Sequence, residues 1–171
     1  MMLLRHLLAI LLLPFMVVVV VPYLLLTAFP AGDIVDIADV ATSWGDDLPQ
    51  ERLARLLGVV LFTVGLGLFC WCVTLFAKVG RGTLAPWDPT QALVAAGTYR
   101  HVRNPMISGV VTMLFGQALV WGSWAIALWA GLVLLINHGY FVLIEEPGLE
   151  ARFGASYINY KARVPRWIPR W

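Results

Sequence analysis

Charge is scarce in this sequence. Asp, Glu, Lys and Arg make up 13% of its 171 residues, against roughly a quarter in an ordinary soluble domain. Hydrophobic residues reach 60% and the mean hydropathy is +0.80. With about half the usual solvating charge missing, the water-soluble globular class is excluded. Cysteine is nearly absent as well. Cys70 and Cys72 lie together in an apolar run, so neither a disulfide framework nor a zinc quartet is available. There is no glycine fingerprint of a dinucleotide-binding fold, no internal repeat, and no low-complexity tract beyond Val17–Val21. The pI near 8.7 is only mildly basic, and no nucleic-acid partner is expected from it.

What the chain does have is apolar length. Leu7–Phe29 is uncharged over 23 residues, about 35 Å of helix against a hydrocarbon core of about 30 Å. That is longer than the apolar region of a secretory signal. Pro14 and Pro22 should kink this helix without abolishing it. Leu53–Ala77 is a second apolar stretch, charged only at Arg55, and its Gly58, Gly65 and Gly67 would allow close helix packing. Met106–Trp121 and Trp124–Ile144 follow, separated by Gly122 and Ser123, and so predict an antiparallel helical hairpin. The expected fold is all-α and integral to a membrane: one domain over residues 1–171 with four spans, near 7–29, 53–77, 106–121 and 124–144.

Four spans put both termini on one side. Ten of the twelve Lys and Arg residues fall there, leaving only Arg52 and Arg55 opposite, so the positive-inside bias predicts cytoplasmic termini. In a bacterium this would be the inner membrane. The outer loop, 30–52, would carry Asp33, Asp36, Asp39, Asp46, Asp47 and Glu51. Its three-residue spacing of aspartates suits either a solvated acidic face or a cation site.

The polar chemistry is thereby confined to two cytoplasmic segments, 78–105 and 145–171. The first ends in Gly97-Thr98-Tyr99-Arg100-His101-Val102-Arg103-Asn104-Pro105. Asn104 and Pro105 read as an N-cap and a first helical residue. Arg100 and Arg103 at a positive helix start suit either a bound anion or the lipid boundary. The second segment begins with Glu145 and Glu146, acceptable if Pro147 opens a new helix just beyond them. Leu149, Phe153, Tyr157, Tyr160 and Val164 then recur at helical spacing, predicting one amphipathic helix whose aromatic stripe anchors on the membrane face. The two-residue link between the last spans makes Arg103 and Glu146 neighbours. They would stand beside a polar recess at the mouth of an apolar bundle.

The run from Gly97 to Met106, followed by Glu145-Glu146-Pro147-Gly148-Leu149-Glu150 and Phe153-Gly154-x-x-Tyr157-x-x-Tyr160, resembles the isoprenylcysteine carboxyl methyltransferases, relatives of the phospholipid N-methyltransferases. Gly82-Thr83-Leu84-Ala85-Pro86-Trp87-Asp88-Pro89 is similar to the bacterial branch. Asn104 stands where that family usually has histidine, and Ile107 where tyrosine is common. The resemblance implies a membrane enzyme that uses S-adenosylmethionine to methylate an isoprenylcysteine-like carboxylate, a lipid or a small thiol. It implies catalytic roles for Arg103, Asn104 and Glu146. Cofactor contacts would come from Tyr99, Arg100, His101, Arg103, Asn104, Pro105, Met106, Glu145, Glu146, Tyr157 and Tyr160. In that scheme the glutamates meet the ribose hydroxyls or the ammonium, Arg103 and the helix start meet a carboxylate, and the tyrosines line the adenine or acceptor channel. A membrane sterol-type reductase and a non-enzymatic assembly or transport subunit are the competing readings.

Overall fold

The computed structural model describes residues 11–29, 49–80 and 91–169. Arg5, Arg81, Arg170, the aspartates of the acidic loop and the segment Gly82–Pro89 lie outside the described residues. Those that are described contain helices and no strands, as the apolar periodicity requires. A π-helical stretch, Leu11–Val20, leads into α1 (Val21–Ala28). Helix α2 (Pro49–Leu75) continues as a π turn, Phe76–Gly80, so Lys78 is helical and not part of a loop. A short 3₁₀ turn, Gly97–Arg100, precedes α3 (Pro105–Val120). Helix α4 (Trp124–Tyr140), a π turn at Phe141–Glu145, α5 (Glu146–Phe153) and α6 (Ala155–Arg163) complete the order. Two helical runs, Glu51–Gly80 and Trp124–Phe153, are each 30 residues and apolar enough to cross a membrane.

Helices α2 and α3 form the tightest pair, and glycine is the reason. A methyl group placed on Gly65 would sit 2.6 Å from the Gly109 carbonyl oxygen, and one on Gly58 would sit 2.7 Å from the Gly116 carbonyl oxygen. The backbones touch at both points, seven residues apart on each helix. Among the described residues Gly67 meets nothing, so of the three glycines Gly58 and Gly65 are the two that pack there. The core beside this seam comprises Phe69, Val110, Met113, Leu114, Ala130 and Val133. Helices α3 and α4 are joined through Trp121–Ser123. Gly122 adopts φ +60° there, and Ser123 Oγ accepts from the Ile126 amide at 3.4 Å.

Pro22 explains how the first helical segment is held. Lacking an amide hydrogen, it leaves the Val18 carbonyl without its α-type donor and the Val17 carbonyl without its π-type donor. Side chains from two other helices supply both. Gln117 Nε2 donates to Val18 O at 2.8 Å, and Trp129 Nε1 to Val17 O at 3.0 Å. Gln117→Leu and Trp129→Phe are each expected to destabilise the fold by about 0.6–2 kcal/mol, the range for hydrogen bonds between helices in membranes. Thermal unfolding in detergent would measure this.

The C-terminal segment departs from expectation in two ways. Pro147 does stand in the first turn of α5, but α5 is not set apart from α4. The wide turn before it, closed by the Glu146 amide on Phe141 O, carries α4 into α5 without a break. This accommodates a ring that cannot donate to the carbonyls behind it. The single amphipathic helix is in fact two, α5 and α6, divided at Gly154 with φ +52° and ψ −131°. That bend turns the stripe inward: Tyr157 and Val164 are buried, and Leu149, Phe153, Tyr157 and Tyr160 face a cavity. The stripe from Leu149 to Tyr160 therefore forms cavity wall.

Candidate functional site

The cavity has a volume of about 660 Å³. Its polar end is built by Tyr99, Arg103, Asn104, Glu145, Tyr157 and Tyr160, and its apolar end by Pro14, Val17, Ile107, Val110 and Val133. Helix α4 and its continuation line it along one face from Val133 through Asn137, Phe141 and Ile144 to Leu149. Sixteen rises of about 1.5 Å between Val133 and Leu149 make this face roughly 24 Å long.

Most of the candidate residues meet here, and four, Arg100, His101, Pro105 and Glu146, do not. Met106 joins the six polar-end residues in the lining. Pro105 is fully buried at the first position of α3. Arg100 and His101 line a separate shallow hollow with Trp71, Gly97 and Thr98. The 3₁₀ turn ends at Arg100, and Arg103 lies beyond it on the approach to α3, which separates the two arginines.

Asn104 holds the N-cap position of α3, but its side chain makes no capping bond. Its carbonyl accepts instead from the Ser108 hydroxyl at 3.0 Å, while Asn104 Nδ2 is buried without a partner at the cavity wall. Arg103 Nε and the Tyr157 hydroxyl are likewise buried and make no hydrogen bond of good geometry among the described residues, although the Tyr157 hydroxyl lies beside the Arg103 guanidinium. Three buried donors lacking acceptors are costly unless something else satisfies them.

Glu146 sits behind this wall and does not line the cavity. It is 2% exposed, and both its oxygens are occupied. Oε1 accepts from Arg103 Nη1 at 2.7 Å and Arg166 Nε at 2.8 Å; Oε2 accepts from Arg166 Nη2 at 3.2 Å and pairs with Lys161 Nζ at 3.1 Å. Lys161 also reaches Glu150 Oε1 at 2.7 Å. The Arg103 amide donates to Pro165 O at 2.9 Å, which docks the tail against the start of α3. Of the two glutamates it is Glu145 that faces the cavity. Arg166, Lys161 and Asn137 were not singled out from the sequence. The signal for the first two is that a carboxylate at the end of an apolar span needs compensating cations.

Tyr160 fixes the aromatic wall by donating its hydroxyl to Tyr99 O at 2.7 Å. Burial pushes its ionisation well above the ordinary tyrosine range, with Tyr157 adding to the effect. Burial likewise raises Tyr99 well above that range. A folded value above the unfolded one stabilises fully below the unfolded pKa of about 10, and the contribution is lost as pH climbs through the folded value. Stability is thus expected to be flat from about pH 7 to 9 and to fall above about 10. Tyr160→Phe should reduce that fall and cost about 1 kcal/mol at neutral pH, as read by thermal unfolding across a pH series.

A sequence model described as phospholipid methyltransferase matches residues 53–156, more than half of the chain. Protein-S-isoprenylcysteine O-methyltransferase of Schizosaccharomyces pombe is 34% identical over 77 residues, which is 45% of this chain and 33% of the relative. The chain therefore spans about a third of the length of the curated relative it matches. No solved structure matches it.

Proposed function

The chain belongs to the phospholipid methyltransferase family, and from that premise we propose that it is an S-adenosylmethionine-dependent methyltransferase embedded in a membrane. Its acceptor is a lipophilic or small molecule: an isoprenylcysteine-like carboxylate, a lipid or a thiol. The observation that carries this reading is the pairing within one cavity of unpartnered donors, at Arg103, Asn104 and Tyr157, with a long apolar end.

The residues present suit the cofactor. The volume lies within the range of small-molecule sites, about 300–1,000 Å³. Arg103 Nε and Asn104 Nδ2 supply the donors that a carboxylate takes up, and Glu145 supplies an acceptor for an ammonium or ribose hydroxyls. Tyr99, Phe153, Tyr157 and Tyr160 offer ring faces to adenine and to a sulfonium cation. When bound, S-adenosylmethionine supplies an electrophilic methyl group. The protein's part is alignment and exclusion of water, worth about 7–11 kcal/mol in favourable cases. A carboxylate or thiolate acceptor needs no strong base, so Asn104 in place of an imidazole is compatible with transfer. Glu146 acts through Arg103 and not on the ligand. In the membrane, four spans would place this cavity at the cytoplasmic leaflet with both termini on that side, and α3 and α4 as the hairpin behind it.

Purified protein in detergent is expected to bind S-adenosylmethionine calorimetrically, and Asn104→Ala to weaken binding about 5- to 10-fold, the value of one hydrogen bond. Isotopically labelled methyl should then appear in membrane lipid or in an added thiol. A well-folded preparation that binds no S-adenosylmethionine overturns the proposal, and one that binds a nicotinamide dinucleotide instead replaces it with the reductase.

A further inference from the structure

Glu146 is shared unequally by its two guanidinium partners. Arg166 spans both oxygens with its Nε and Nη2, while Arg103 reaches a single oxygen through Nη1. A guanidinium that meets a carboxylate with two parallel bonds is the stronger and more directional partner. Arg103 is the more buried of the two, with a side chain 9% exposed against 25% for Arg166. It nonetheless holds a single contact and leaves Nε without an acceptor among the described residues. Left alone with Glu146, Arg103 would gain by turning its own fork, Nη and Nε together, onto the carboxylate. Its Nε would then be spent inside the protein.

We infer that Arg166 is a positioning residue. By occupying both oxygens of Glu146 it restricts Arg103 to one contact there and keeps the Arg103 Nε edge available to an anionic group in the cavity. Lys161, on Oε2 at 3.1 Å, supports the same division. The tail is placed for this by the bond from the Arg103 amide to Pro165 O, immediately before Arg166. The inference rests on the reading of the cavity as an S-adenosylmethionine site, in which that anionic group is the amino-acid carboxylate.

The test compares S-adenosylmethionine with its decarboxylated form, which keeps the adenosine, the sulfonium and the amine. Binding of both to the full chain in detergent is measured by calorimetry for wild type, Arg166→Gln and Arg166→Lys. Wild type should prefer the carboxylate-bearing form by about 10- to 100-fold, the range for a charge-assisted hydrogen bond. Arg166→Gln should shrink that preference to about 3-fold or less while affinity for the decarboxylated form stays within about 2-fold, since Arg103 then turns onto Glu146. Arg166→Lys keeps the charge without the fork and should fall between. It decides the matter if the glutamine variant does not fold, because an unchanged preference in it overturns the inference. Equal loss of affinity for both ligands overturns it in favour of a structural role. Equal affinity of wild type for both removes the carboxylate from Arg103. If wild type binds neither ligand, the cofactor reading itself fails.

Discussion

Glu146→Ala should lower the unfolding free energy by about 3–5 kcal/mol, the cost of breaking a buried ion pair by removing one partner. The carboxylate is the only anion within reach of Arg103 and Arg166 among the described contacts, and Arg103 is almost fully buried. Alanine would leave that guanidinium uncompensated in a low-dielectric setting, where the desolvation penalty remains. The loss would also propagate, because Glu146 joins the start of α3, α6 through Lys161, and the tail through Arg166. Glu150→Ala is the control. Its pair with Lys161 involves side chains 38% and 39% exposed, so about 1 kcal/mol or less is expected. Thermal or denaturant unfolding in detergent distinguishes the two. A loss below about 1 kcal/mol for Glu146→Ala would show that the network holds nothing together.

The seam between α2 and α3 should be equally intolerant of volume. Gly65→Val is expected to destabilise by about 3 kcal/mol, the upper end of the usual penalty for overpacking. The new Cβ would meet the Gly109 carbonyl oxygen at 2.6 Å and the Met113 amide nitrogen at 2.8 Å. Both are backbone atoms that cannot swing aside, so relief requires the helices to part. The core they enclose, with Phe69, Val110 and Met113, would loosen with them. Gly67→Ala on the same helix meets nothing and should be neutral, or stabilising by up to about 1 kcal/mol through helix propensity. Equal behaviour of the two variants in unfolding experiments would refute close packing at Gly65.

How much of the site was readable in advance differs from residue to residue. Arg103 and Glu146 were expected to be neighbours because a short link joins the helices that carry them, and they stand 2.7 Å apart. Tyr99, Asn104, Tyr157 and Tyr160 were expected near the same place and do line it. Arg166 lay within a basic, aromatic tail that reads as interfacial, and nothing in its local sequence pairs it with a glutamate twenty positions earlier. Asn104 was legible as a helix cap, but its side chain makes no capping bond and the residue lines the cavity.

Apolar run length, the proline and glycine punctuation and the clustering of charge are local properties, so helix content and the two polar segments could be read directly from residue order. Which of two adjacent glutamates faces the cavity is different in kind. It depends on the phase of the helix after the π turn at Phe141–Glu145, where the wider hydrogen-bond register rotates every later side chain about the axis. The inward turn of the aromatic stripe depends likewise on the bend at Gly154. The surroundings of Glu145, Glu146 and Arg166 were thus decided only once the helices were in place, because burial and competition for one carboxylate exist only between segments already packed together.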